Sequence, residues 1–219
     1  MGERQTYPTG DTTAEYYLAL PTSSTSGGVL VLHAWWGLTS VFTAICDRLA
    51  EAGFVALAPD LYDGQTATTR EQAEQLSSTL NGEATYALIN RAVVELQTQP
   101  AVAGRPIGLV GFSLGGGWAV ALNRGVGAIV IYYATVPPEY VGVSAPVMGH
   151  FAEHDEFEPP ENVRQFKQAL RSKGLSVEFH IYPKTQHWFT ESNQPGYYDP
   201  AAAELAWQRT IDFLRQHLA

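Results

Sequence analysis

One short turn constrains this chain more than any other part of it. Residues 111–116 read Gly-Phe-Ser-Leu-Gly-Gly and stand between an apolar, strand-like run and a helix-like run. A turn from strand to helix this tight leaves no room for a side chain at Gly111 or Gly115. The same turn strains the backbone of Ser113 and lifts its hydroxyl clear of the sheet. The pattern predicts a nucleophilic serine, although glycine-rich turns that hold a serine also occur by chance.

A nucleophilic serine needs a base, and a histidine late in the chain is the usual one. His187 stands in the loop after the last predicted strand, from which an imidazole can reach back to Ser113. His180 lies inside an alternating strand, and His217 lies two residues from the end of the sequence, where helices fray. The order along the chain therefore favours His187 as the base.

The histidine in turn needs an acid that orients it, placed just beyond the carboxyl end of a strand. Asp155 follows the predicted strand 146–151 and meets that requirement. Glu153 and Glu156 are the competing carboxylates, and a solvated loop acid is the simpler interpretation of each. Asp155 is the predicted third member of a Ser-His-Asp triad.

Ester and amide hydrolysis also needs two N–H donors for the oxyanion that develops on the substrate. The first is expected from Leu114, directly after the nucleophile, and the second from Trp35, in the loop after the early strand 29–33. The rings of Trp35 and Trp36 are then predicted to form an apolar wall beside the reacting carbonyl. Two core tryptophans are the competing interpretation.

Composition excludes several classes of function. The 219 residues suit one domain spanning residues 1–219, and a formal charge of −9 disfavours nucleic acids and anionic membranes, which bind basic surfaces. Cys46 is the single cysteine, so no intramolecular disulfide can form. The first residues lack the apolar run of a signal peptide, and no run approaches membrane-spanning length. We expect a cytoplasmic protein with no obligate protein partner.

Strand-like and helix-like runs alternate along the chain. Apolar runs predict strands at 29–33, 54–58, 106–110, 128–133, 146–151 and 177–182. Apolar residues at helical spacing predict helices near 39–52, 70–80, 83–98, 160–173 and 200–217. This alternation indicates an α/β-hydrolase fold, with a mostly parallel central sheet and helices on both faces. The spacing leaves no room for a separate cap domain, so an open cleft bounded by loops is expected.

The chain resembles the dienelactone hydrolase family of small α/β-hydrolases, roughly from Val29 to the C-terminal helix. The landmarks are the oxyanion loop ending in Gly37, residues 58–62, residues 70–73, the turn at 111–116, the Tyr132-Tyr133 pair and the His187 loop. The resemblance implies hydrolysis of a small-molecule ester or lactone. The serine mechanism needs no metal and no cofactor.

The departures from the family pattern bear on the substrate. The namesake enzymes use a cysteine nucleophile held by a glutamate of the oxyanion loop, where this chain has Ser113 and Ala34. They also bind a substrate carboxylate with two arginines. Arg70 resembles the first, but the region of the second holds Glu191 and no arginine. An acid there is expected to repel a carboxylate, which leaves Arg70 as either a substrate contact or a surface helix residue.

The leading hypothesis is a serine carboxylic-ester hydrolase acting on small neutral esters with short or aromatic acyl groups. The substrate contacts predicted for it are Trp36, Arg70 and Trp188, with Trp35 and Phe189 also lining the cleft. A lactonase closer to the namesake chemistry is the alternative enzyme. From another class, a catalytically silent fold used as a binding module is the alternative, and the complete set of triad residues argues against it.

Overall fold

The computed structural model describes residues 1–9, 12–22, 26–122, 125–142 and 144–218. One sheet of eight strands forms its centre. The strands are β1 (Glu3–Thr9), β2 (Thr12–Ala19), β3 (Gly28–Leu32), β4 (Val55–Pro59), β5 (Ile107–Phe112), β6 (Val126–Tyr132), β7 (Val147–His154) and β8 (Val177–Gln186). The helices are α1 (Ser40–Glu51), α2 (Arg70–Ser78), α3 (Gly82–Thr98), α4 (Leu114–Ala121), α5 (Pro160–Ser172) and α6 (Pro200–Leu218). No helix within these described ranges is long and apolar enough to cross a membrane.

The sheet is mostly parallel, as predicted for an α/β-hydrolase. Its strand order is β1-β2-β4-β3-β5-β6-β7-β8, and the strands from β3 to β8 run parallel to one another. Strands β3, β4 and β5 are buried along their whole length, which explains their uninterrupted apolar sequences. Because parallel strands end at the same edge, the loops after β3, β5, β7 and β8 meet there.

The first two strands were not anticipated from the sequence. β1 and β2 form an antiparallel hairpin, and β2 pairs antiparallel with β4. Their buried positions are filled largely by tyrosines, such as Tyr7 and Tyr16, whose rings stack at 5.1 Å between centroids. Tyr7 stands among polar residues in β1, whereas residues 16–19 of β2 form a short continuous buried run that the sequence analysis did not identify as a strand.

Each face of the sheet has its own apolar layer. Helices α1 and α6 cover one face with residues such as Phe42 and Leu214, and Cys46 is buried there as a free thiol. Helices α3, α4 and α5 cover the other face, where Ile89 and Phe166 are buried. The predicted helix boundaries hold within a few residues. For α6, the Asp199 carboxylate accepts hydrogen bonds from the first free N–H groups of the helix.

Helix α4 approaches the backbone of two strands through glycines. A Cβ at Gly111 would meet the carbonyl of Gly115, and a Cβ at Gly115 would lie 2.6 Å from the carbonyl oxygen of His33 and closer still to that of Leu32. Backbone atoms cannot move aside for such a contact. These glycines therefore set the position of α4 over β3 and β5.

We predict that Gly115→Ala destabilises the protein by about 3 kcal/mol or more, because the added methyl collides with backbone in a packed region. Gly117→Ala in the same helix is the matched control. A Cβ at Gly117 would meet only a side-chain carbon of Val136, at 3.7 Å, so alanine should stabilise the helix by about 0.5–1 kcal/mol. Urea denaturation of both variants measures the difference, and equal stabilities would contradict this account of the turn.

Candidate active site

Ser113 occupies the turn between β5 and α4 in a strained conformation. Its φ of 50° and ψ of −113° lie in a region that residues with a side chain rarely adopt. The surrounding structure holds this conformation, since the Ser113 N–H donates to the Tyr132 carbonyl over 2.9 Å. The Ser113 carbonyl accepts the N–H of Gly117 over 3.1 Å. The serine thus sits at the carboxyl edge of the sheet, half-buried and ahead of a helix N-terminus.

The three residues predicted to act together form a continuous hydrogen-bonded chain. The His187 Nε2 lies 3.0 Å from the Ser113 Oγ. The His187 Nδ1 lies 2.8 and 2.9 Å from the two carboxylate oxygens of Asp155. A carboxylate can only accept, so Nδ1 carries the proton and Nε2 is left free to accept the serine hydroxyl. This is the geometry in which a histidine can deprotonate a serine.

Asp155 is held by the loop that follows β7. One of its carboxylate oxygens also accepts the N–H groups of Phe157 and Glu158, at 2.9 and 3.0 Å. The two competing acids are engaged elsewhere. Glu153 accepts the N–H of Lys184 over 2.8 Å, and Glu156 forms an ion pair with Arg70 over 2.6 Å. The structure therefore brings Asp155, and neither of those glutamates, against His187.

The two predicted oxyanion donors lie at neighbouring corners of the site. Leu114 is the first residue of α4, where a backbone N–H has no acceptor within its helix. Trp35 lies in the turn after β3, and β3 pairs in parallel with β5 up to Leu32 and Gly111. Gly115, the residue after Leu114, lies close to the carbonyls of Leu32 and His33, so the start of α4 and the loop after β3 are neighbours. Both N–H groups therefore belong to the edge of the sheet that carries Ser113.

The predicted roles of three aromatic side chains are wrong. Trp36, Trp188 and Phe189 are at most 2% exposed, so their rings pack beneath the site and do not line an open cleft. Trp36 and Trp188 lie 5.3 Å apart between ring centroids, and each removes the other from water. The competing interpretation, core tryptophans, holds for Trp36. Spacing within a loop carries no periodicity that could have separated these alternatives.

Two other aromatic side chains near His187, Trp35 and Phe157, reach solvent. Trp35 is half-buried and Phe157 is 40% exposed, with 5.7 Å between their ring centroids. Phe157 also lies 4.8 Å from the imidazole of His187. The sequence prediction missed Phe157, although its position two residues after Asp155 was an available signal. These two rings replace the predicted wall of Trp35 and Trp36.

Arg70 lies at the margin of this aromatic group. Its guanidinium donates to Glu156 over 2.6 Å and to the Tyr197 hydroxyl over 2.8 Å. It also stands 4.9 Å from the ring centroid of Trp188. Arg70 is therefore part of the site's surroundings, with its charge already opposed by a carboxylate.

Glu191 does not face the cleft, contrary to the expectation that it would repel an anionic substrate. It is fully buried, and burial raises the pKa of its carboxyl to about 8 even though the Tyr133 hydroxyl donates to it over 2.8 Å. Its second oxygen has no hydrogen-bond partner among the described residues. The indole N–H of Trp36 lies near enough to lower the pKa slightly, without the geometry of a hydrogen bond. Glu191 is consequently neutral at pH 7.

Tyr133 connects this buried acid to the histidine. Its ring lies 4.7 Å from the imidazole of His187, and its hydroxyl contacts both Glu191 and Thr190. The backbone of Tyr133 has a φ of 41°, and its N–H donates to the carbonyl of His150 over 2.7 Å. The sequence offered Tyr133 only as a landmark of resemblance. Its place beneath His187 is visible only in the folded chain.

We predict that the stability of Glu191→Gln, measured relative to that of the wild type, increases as the pH rises. The carboxyl keeps its proton in the folded state up to about pH 8 but releases it near 4.5 when unfolded. The wild type therefore loses stability between these values, whereas the amide does not. Tyr133, which donates to Glu191, keeps its proton across this range, because burial raises the pKa of its hydroxyl well above 10.

Urea unfolding at half-unit intervals from pH 5 to 8.5 gives the difference in free energy of unfolding. The exposed Glu74→Gln is the matched control and should give no such divergence. Curves for wild type and Glu191→Gln that stay parallel across this range would contradict the predicted pH dependence.

Comparison with known proteins assigns the family. The dienelactone hydrolase family model matches residues 14–218. A protein of Aquifex aeolicus named as a carboxymethylenebutenolidase is 28% identical over the full length of both chains, and protein usf of Aquifex pyrophilus is 27% identical over the same extent. A dienelactone hydrolase structure from Klebsiella pneumoniae superposes with a TM-score of 0.87 at 22% identity, covering 99% of this chain and 98% of the other. This chain therefore belongs to the dienelactone hydrolase family and is a lactone or ester hydrolase with the α/β fold.

Proposed function

We propose that this protein hydrolyses small neutral carboxylic esters through an acyl-enzyme on Ser113. The observation that carries the proposal is the continuous chain of hydrogen bonds from the Ser113 Oγ through the His187 imidazole to the Asp155 carboxylate. Burial of His187 and Asp155 supports it, because it keeps water from competing for these bonds.

The reaction takes place in two half-reactions. The His187 Nε2 accepts the Ser113 proton while the Oγ attacks the ester carbonyl carbon, and Asp155 stabilises the imidazolium. The N–H groups of Leu114 and Trp35 donate to the oxyanion of the tetrahedral intermediate. The C–O bond to the alcohol then breaks and the alkoxide takes the proton from His187. Water, deprotonated by the same histidine, attacks the acyl-enzyme and releases the acid with Ser113 restored.

The preference for neutral esters is supported by the charges around the site. Arg70 is the cation nearest the aromatic surface in the described contacts, and its ion pair with Glu156 already opposes its charge. Both members of that pair are exposed, so a second carboxylate on Arg70 gains little in water. Trp35 and Phe157 instead offer apolar contact, worth about 0.8 kcal/mol for each buried methylene of the acyl group.

A lactonase is the second candidate. It is favoured by the relatives named as carboxymethylenebutenolidase and dienelactone hydrolase, and by the position of Arg70 beside the site. The burial of Glu191 removes one objection to an anionic lactone, since a neutral buried acid repels nothing. The chemistry would be the same, except that the leaving alkoxide stays tethered to the acyl group.

We predict that Ser113→Ala abolishes hydrolysis of p-nitrophenyl acetate and covalent labelling by a fluorophosphonate, while the melting temperature changes little. Asp155→Asn should lower kcat by about 10⁴-fold, because the amide favours the wrong imidazole tautomer. Glu153→Gln is the matched control and should stay near wild type, since an amide oxygen can still accept the Lys184 N–H. Labelling that persists in Ser113→Ala would mean that another residue is the nucleophile.

We also predict that kcat/KM for p-nitrophenyl butanoate exceeds that for p-nitrophenyl hemisuccinate, which carries a carboxylate at a similar chain length. Glu156→Gln should lower the butanoate-to-hemisuccinate ratio of kcat/KM, because it frees the Arg70 charge. Arg70→Gln should not lower this ratio. Steady-state kinetics on the three proteins make the comparison. A tenfold preference of the wild type for the anionic ester would replace the esterase assignment with the lactonase one.

A further inference from the structure

We propose that His33 is a positioning residue that fixes the direction of the Trp35 N–H and so builds half of the oxyanion hole. The proposal rests on the function proposed above, because it concerns a donor to the substrate's oxyanion. His33 touches neither Ser113 nor His187 in the described contacts; its imidazole acts through the backbone of the loop after β3.

The tautomer of His33 follows from its two partners. The ring is fully buried, and its Nε2 accepts the backbone N–H of Leu61 over 3.1 Å. A backbone N–H can only donate, so Nε2 is unprotonated and Nδ1 carries the proton. The Nδ1–H donates to the carbonyl oxygen of Ala34 over 2.7 Å. Burial lowers the pKa of His33, which keeps the ring neutral.

The Ala34 carbonyl oxygen is therefore held from two directions. Besides the His33 ring, it accepts the Gly37 N–H over 3.2 Å across a tight turn. Gly37 has a φ of 88°, and a Cβ there would lie 2.5 Å from the Gln65 carbonyl oxygen, so this turn requires glycine. Two donors on one oxygen fix the plane of the peptide unit to which that oxygen belongs.

That peptide unit contains the Trp35 N–H. A trans peptide is planar, with its C=O and N–H pointing in opposite directions. Fixing the Ala34 carbonyl toward the His33 ring and the Gly37 N–H therefore fixes the Trp35 N–H in the opposite direction. The far side of the turn is also anchored, because the Trp36 carbonyl accepts the Ala67 N–H over 2.9 Å.

The alternative is that His33 matters only to the fold, by filling its place between Phe42 and Tyr62 and satisfying the Leu61 N–H. The two roles use different ring atoms. A role in folding involves both hydrogen bonds of the ring and its packing. Orientation of the Trp35 N–H needs only the donor at Nδ1. Substitutions that keep one ring atom and lose the other can separate the roles.

His33→Asn and His33→Gln form such a pair. The asparagine amide nitrogen falls near the Nδ1 position and can still donate to Ala34, but it leaves the Leu61 N–H without a partner. The longer glutamine places its oxygen near the Nε2 position and can still accept from Leu61, but it loses the donor to Ala34. Both variants lose the imidazole, so their melting temperatures should fall by similar amounts.

The expected result is a selective effect on kcat for p-nitrophenyl acetate. His33→Gln should lower kcat by about 10–100-fold with KM within twofold, since a misdirected oxyanion donor acts on the transition state more than on bound substrate. His33→Asn should lose less than fivefold. Rates are expressed per active site titrated with a fluorophosphonate, so that unfolded protein does not count.

A thionoester substrate gives a readout that a purely structural role would not move. Sulfur is larger and a weaker acceptor than oxygen, so an intact oxyanion hole favours the ester over its thionoester. The ester-to-thionoester ratio of kcat/KM should fall in His33→Gln and stay near wild type in His33→Asn. His150→Gln, which alters a buried histidine bonded to Tyr182 and Thr210, should lower the melting temperature and leave this ratio unchanged.

Equal kcat values and equal ester-to-thionoester ratios in the two His33 variants would overturn the proposal. Unfolding of both variants at 25 °C would also overturn it, because His33 would then serve the fold alone. ¹⁵N NMR of the His33 ring separates this outcome from failure of the proposed function. Protonated Nδ1 and unprotonated Nε2 are expected in wild type and in Ser113→Ala, whether or not any ester is hydrolysed. The opposite tautomer would overturn the inference even in an active enzyme.

Discussion

The site depends on the approach of one helix to the backbone of two strands. Helix α4 begins one residue after β5, and its backbone lies so close to Gly111 of β5 and to the end of β3 that glycine is required at positions 111 and 115. This contact places the strained Ser113, the first N–H of α4 and the loop after β3 at one edge of the sheet. The parallel strands then deliver Asp155 and His187 to the same edge. A methyl group at Gly115 would collide with the backbone of Leu32 and His33, so α4 could not keep this position over β3.

Buried polar groups lie next to the residues of the candidate site. His33 fixes a peptide plane through Ala34, and Tyr133 supports the face of the His187 imidazole while its hydroxyl binds Glu191. Each of these groups is buried, and an unsatisfied buried donor or acceptor costs free energy. The orientation of the Ala34–Trp35 peptide and of the His187 imidazole therefore depends on the packing of the core next to them.

The sequence predicted the features that chain order and strand ends determine. Ser113, Asp155 and His187 were identified because each follows a strand in the order that the fold imposes, and the structure brings them within hydrogen-bonding distance. Features that depend on side-chain direction within loops were not predictable in this way. Trp188 has a φ of 65°, and no apolar periodicity indicates that such a residue turns its ring into the core. In the hairpin of β1 and β2, β1 carries Tyr7 among polar residues, so no apolar run in β1 indicated a strand to pair with residues 16–19 of β2.

The acids near Ser113 are held in different ways, and these bear on the charge that the proposed substrate site presents. The chain carries a formal charge of −9, and several of its acids lie near Ser113. Asp155 accepts N–H groups from His187, Phe157 and Glu158, Glu156 forms an ion pair with Arg70, and burial raises the pKa of the Glu191 carboxyl to about 8. Burial also raises the pKa of Glu158, which is bonded to Thr135, to about 7. For the proposed esterase, a substrate that approaches Trp35 and Phe157 would meet apolar surface, beside an Arg70 charge that Glu156 already opposes. On that proposal the surface would discriminate by apolar area, because a carboxylate on the substrate would lose hydration without gaining an unpaired Arg70.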